Sequence, residues 1–158
     1  MLQNTPNAYE VHALKFIDFH THIYPEAIAH KAADTVRAFY SEGDPTIEGT
    51  AASLVQMGTA AGISQFVVLP VAIRPDKTRH INQFILQEVE KEPRFLGFGT
   101  VHAAMDDLAG EVDFIQRSGL RGIKMHPDTQ EFPIDAPRLF PVYEQIQGHL
   151  PVVFHVGD

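Results

Sequence analysis

Two histidines one residue apart, His20 and His22, close an apolar run in KFIDFHTHIYP, residues 15–25. Residues two apart on a strand project to the same side, so both imidazoles can converge on one ion, with Asp18 one step below them. Imidazole is the commonest metal ligand, and the C-terminal ends of parallel strands are where α/β folds carry their chemistry. The alternative reading is a hydrogen-bonded pair at the end of a buried strand. The metal reading gains weight because the pattern recurs: His155 ends the apolar run of PVVFHVGD. Parallel neighbours bring all their C-terminal ends to one side of a sheet, which makes His155 the natural third ligand.

The stretch LRGIKMH adds two further polar groups. Gly122, Lys124 and His126 share one parity, while Ile123 and Met125 share the other and suit a face covered by helices. A lysine between Ile and Met is costly to bury without a partner. Three readings of Lys124 stay open: a positive group that binds an anionic substrate, a carbamylated bridge between two metals, or a structural ion pair with Asp18. His126 falls where a strand gives way to a βα loop, a position that suits catalysis or substrate binding. His102, in GTVHAAMDD, has the parity of Leu96 and Phe98 and is a weaker candidate that can point into the helix layer. Arg74 and Asp76, in VAIRPDKT, either hold a substrate carboxylate or are surface turn residues. His12, His30, His80 and His149 lie away from strand ends and are assigned no role.

These positions presuppose a particular arrangement of elements. Short segments rich in β-branched and aromatic residues alternate with longer amphipathic ones, with Gly, Pro or Asp between them, the rhythm of βα units on a parallel sheet. Strands are expected at 15–20, 64–70, 94–101, 120–126 and 151–156, and helices at 26–40, 50–61, 77–92, 104–117 and 137–148. Gly62 and Gly119 follow two of these helices, where a left-handed cap favours a residue without Cβ. SEGDPTIEG, residues 41–49, is a turn-rich loop.

Bulk composition narrows the function classes. The 158 residues, 44% hydrophobic and 20% charged, describe one globular domain over 1–158 with a substantial core. The apolar runs are too short to span a bilayer, so no membrane partner is expected. A net charge of −8, with 12 basic residues scattered along the chain, argues against nucleic acid. With no cysteine and no basic-then-apolar leader, a cytoplasmic location is expected.

The stretches FIDFHTHIYP, GFGTVH, GLRGIKMHPDTQEF and PVVFHVGD, in this order, resemble the metal-dependent amidohydrolase superfamily, in the branch that includes aminocarboxymuconate-semialdehyde decarboxylase. The resemblance implies a TIM (β/α)8-barrel holding one divalent metal ion, usually zinc. It makes His20, His22 and His155 metal ligands and leaves Lys124 and His126 as the catalytic or substrate-binding candidates. The implied activity is hydrolysis of a C–N or C–O bond in a small-molecule substrate by a metal-activated water. Non-oxidative decarboxylation of an unsaturated carboxylic acid is the alternative, and a catalytically inactive half-barrel that binds a partner is a third. A barrel needs eight βα units, and about five are visible here. The expectation is therefore an incomplete barrel whose first and fifth strands present open edges, inviting a second chain or another copy to complete it.

Overall fold

The computed structural model describes residues 15–41 and 47–156. His12, most of the 41–49 loop and the final Gly-Asp of PVVFHVGD lie outside them. The chain runs β1 (Phe16–Thr21), α1 (Glu26–Tyr40), α2 (Ala51–Ala60), β2 (Ile63–Val68), α3 (Thr78–Lys91), β3 (Phe95–Gly97), β4 (Gly99–Thr100), α4 (Leu108–Ser118), β5 (Ile123–Met125), α5 (Pro127–Gln130), α6 (Phe140–Ile146) and β6 (Val152–Phe154). Single 3-10 turns, Pro75–Lys77 and Pro137–Leu139, lead into α3 and α6. The architecture is mixed α/β with parallel sheets. None of the described helices is long and apolar enough to cross a membrane.

The strands form two three-stranded parallel sheets, β1-β2-β3 and β4-β5-β6. The segment 95–100 links them. On one side Phe98 N–H donates to Val68 O (3.0 Å), and on the other Gly99 N–H donates to Gly122 O (2.9 Å) and Arg121 N–H to Gly97 O (2.8 Å). One expected strand over 94–101 is thus two short ones with a break at Phe98. The break follows from packing: a Cβ on Gly122 would sit 2.4 Å from the Phe98 ring, so that glycine is what admits the ring beside β5.

Alternation along the strands divides the apolar residues between two faces. Phe66, Val68, Phe95, Ile123 and Met125 meet Ile85 of α3, Val112 and Ile115 of α4, and Val142 and Ile146 of α6 in the main core. The opposite face carries a smaller cluster of Val67, Leu69 and Phe98, with Leu96 and Val153 packed against it. Each large side chain so buried contributes about 1.5–3 kcal/mol. On β1, by contrast, Phe16, Ile17 and Phe19 are more than half exposed.

Helix boundaries follow local chemistry. Thr50 caps α2 by accepting the Ser53 N–H, and Asp107 caps α4 by accepting the Gly110 N–H (2.8 Å). The Asp107 cap starts α4 at residue 108 rather than at 104. Gly62 and Gly119 adopt φ of +76° and +89°, the left-handed conformation expected of them.

A buried polar clamp fixes the central strand to two helices. Asn82 of α3 accepts the Thr100 N–H (2.8 Å) and donates both to Thr100 O (2.9 Å) and to Glu111 Oε1 of α4 (2.7 Å). Arg79 Nε donates to the second oxygen of Glu111, a residue only 2% exposed. Asn82→Ala strands the Thr100 backbone groups and one carboxylate oxygen without partners, so urea denaturation should show a loss of about 3 kcal/mol or more. A loss below about 1 kcal/mol would mean that the clamp carries little of the fold.

Candidate functional site

The C-terminal ends of β1, in one sheet, and of β5 and β6, in the other, lie within reach of one another. His20 and His22, at the end of β1, have ring centroids 5.0 Å apart at an interplanar angle of 61°. His155, just after β6, lies 6.4 Å from His20, and its ring stacks on that of His126 at 4.0 Å and 10°. Four of the five candidate side chains are therefore gathered as an imidazole cluster. The fifth, Lys124 of β5, is fully buried and faces it: its charge helps to depress the pKa values of His20, His22 and His126.

Hydrogen bonds fix the tautomers of two rings. His22 Nδ1–H donates to the Leu69 carbonyl (2.6 Å), which leaves its Nε2 lone pair as a potential ligand. His126 Nδ1 accepts the Thr129 N–H (3.4 Å) at the start of α5, so a neutral His126 carries its proton on Nε2 and presents a donor there. Both imidazoles are held neutral, with pKa values near 4. Burial is the main cause, followed by His20 for His22 and by His155 for His126, with Lys124 adding to both. His20 is lowered as well, first by its partial burial and then by Lys124 and His155.

Of the three readings of Lys124, the ion pair with Asp18 does not form. Lys124 Nζ has no hydrogen-bond partner among the described residues, and Asp18 instead accepts the backbone N–H of His20 (3.2 Å). Asp18 aligns with Phe66 in the β1–β2 register, on the face opposite Val67, which places it away from the lysine. Burial pushes the Lys124 pKa below the ordinary lysine range.

The cluster meets part of what a metal requires. An imidazole bound through nitrogen at about 2.0–2.1 Å puts its centroid about 3 Å from the ion, so two tetrahedral ligands have centroids about 5 Å apart. His20 and His22 match that spacing, and their neutral state is the ligating one. His155 lies more than 1 Å too wide for it, with its ring flat against His126. Among the described residues no three His, Asp or Glu side chains close on one point.

The remaining candidates have local partners. His102 is buried and its Nδ1 accepts the Ala104 N–H (3.1 Å), closing its own turn. Arg74 makes a two-pronged pair with Asp76 at 3.0 and 2.8 Å, and His30 pairs with Asp34 on α1. Two contributors lacked a sequence signal. Gln130 Oε1 accepts the His126 N–H (2.8 Å), while its Nε2 donates to Ala72 O and Val101 O, both at 2.9 Å. Phe39, near the end of α1, sets its ring edge-on to His126 at 6.3 Å.

No family model and no curated protein matches the chain.

Two outcomes follow from the electrostatics. Lys124→Met replaces an unpartnered buried amine with an apolar group of similar length and should raise stability to urea by about 1–3 kcal/mol; a marked loss would instead reveal a partner. In metal-free protein, His22 and His126 take up protons only on unfolding between pH 6.5 and about 4. Because the unfolded chain binds more protons in that window, stability is present above it and falls as pH drops through it, by about 1.4 kcal/mol per pH unit for each histidine. Chemical denaturation across pH 4–7 would show this slope in the native chain and roughly half of it in His126→Phe.

Proposed function

We propose that the chain is a metal-dependent hydrolase acting on a C–N or C–O bond of a small molecule, with its six parallel strands forming part of a TIM (β/α)8-barrel of the amidohydrolase kind. The observation that carries this reading is the imidazole cluster at the strand C-termini, above all the His22 ring with Nδ1–H tied to Leu69 and Nε2 turned to other use. The likeness rests on the chain's own motifs: the HxH of β1, the GIKMHPD around β5 and the PVVFHVGD around β6.

In this reading His20, His22 and His155 hold one divalent ion, with zinc suited to neutral imidazoles. When bound, such an ion lowers the pKa of a water to about 7 and polarises the substrate oxygen. His126, kept neutral with its proton on Nε2, donates a hydrogen bond to a substrate oxygen on which charge accumulates. Lys124 supplies positive potential from beneath and favours anionic substrates and transition states. Gln130 keeps His126 in place by holding its backbone.

The test is the metal content of purified, zinc-reconstituted protein, set against His20→Ala/His22→Ala. Native protein should hold about one zinc per chain by elemental analysis and the double variant almost none. Equal content would remove the metal site from these residues. Turnover of an ester and amide panel, abolished by chelator and restored by zinc, then tests the reaction class; CO2 release from a carboxylic acid would shift the reading to decarboxylation.

A further inference from the structure

A cavity of about 560 Å³ lies between α1 and α3, at the C-terminal end of β1 and β2, and His22 forms part of its wall. Its volume falls within the range of small-molecule sites. The lining is mostly apolar, with Ile28 and Ala32 from α1, Ile81 and Phe84 from α3, and Leu69 and Ile73 from the connection after β2. Its polar lining includes Arg74 and Lys77 with His80 of α3. Among the described residues no Asp or Glu lines the cavity, although the chain carries 20 acidic residues and a net charge of −8. Asp76 pairs with both cations, at 2.8 Å from Arg74 and 3.6 Å from Lys77, so one carboxylate faces two positive groups and one positive charge is left over.

We propose that this cavity binds a small amphipathic monoanion, an aromatic or medium-chain carboxylate, with its apolar body between α1 and α3 and its carboxylate toward Arg74 and Lys77. Apolar walls with a single excess cation select this class: a neutral hydrocarbon leaves the cation unused, and a polyanion meets Asp76. Because His22 belongs both to the imidazole cluster and to this wall, the ligand is the substrate, or the substrate's acid portion. That last step rests on the hydrolase reading, whereas binding itself does not.

Isothermal titration of the full chain, stripped of metal by chelator, with butanoate, hexanoate, octanoate and octan-1-ol tests the proposal. Each added pair of methylenes should tighten binding about tenfold, from about 0.8 kcal/mol per buried CH2. Octan-1-ol should bind at least tenfold more weakly than octanoate, and Arg74→Gln/Lys77→Gln should erase that preference. Ala32→Trp fills the cavity and should abolish binding. Ile73→Asp, at a position 60% exposed where folding is undisturbed, should repel the carboxylate and weaken octanoate at least tenfold. Absence of saturable carboxylate binding, equal affinity for the alcohol, or native affinity in both Ala32→Trp and Ile73→Asp would overturn the proposal. Octanoate binding by a chain that takes up no zinc on reconstitution would sink the hydrolase reading and leave the cavity's ligand class standing.

Discussion

Three βα connections are held in one place by a single buried amide, that of Gln130. Its oxygen takes the backbone N–H of His126, and its nitrogen reaches Ala72 O after β2 and Val101 O after β4. Loops at the end of a parallel sheet have no ladder to satisfy their backbone groups, and a buried unpaired one costs about 1–3 kcal/mol. With Gln130 in place, the loops after β2, β4 and β5 form one bonded layer beneath the imidazoles. The position of His126, and through ring stacking that of His155, depends on this layer.

The electrostatics of the site follow from burial without pairing. Ionised groups seldom enter an interior unless a counterion follows, yet Lys124 lies fully buried with no acidic partner among the described residues. Its effect is visible on its neighbours: three of the four clustered histidines are depressed, with Lys124 among the causes for each. A cationic group beside neutral imidazoles sets positive potential next to one spare electron pair, that of His22 Nε2, and one donor, the Nε2–H of His126. That combination suits ligands which present a cation to His22 and an anion to the lysine.

Much of the fold was legible in the sequence because βα units write themselves as alternation. Helices α1, α2 and α3 fall within about one residue of their expected spans, and the glycines at 62 and 119 take the left-handed φ their positions call for. Side-chain capping and tertiary contact were less visible. Asp107 delayed α4, and the ring of Phe98, admitted by Gly122, split the third expected strand. At the site, strand parity was enough to group His20, His22, His126, His155 and Lys124. It could not foresee that Asp18 would follow Phe66 onto the other face, nor that His126 and His155 would stack rather than splay, since both depend on register between strands distant in the chain. Gln130 escaped notice because its bonds go to backbone atoms, which carry no sequence signal.

The long connection after β1 gives the first strand a different kinetic standing from the others. Phe66 pairs with Phe95, and Ile123 with Val152, 29 residues further along the chain in each case, whereas Phe16 and its partner Ile63 lie 47 residues apart. Closing that longer loop costs more entropy, and the half-exposed apolar residues of β1 return less for it. The first strand is thus the segment most prone to open while the remaining layers stay folded. His20 and His22 ride on it, so whatever they hold acts as a latch: occupancy closes the strand, and release lets it breathe.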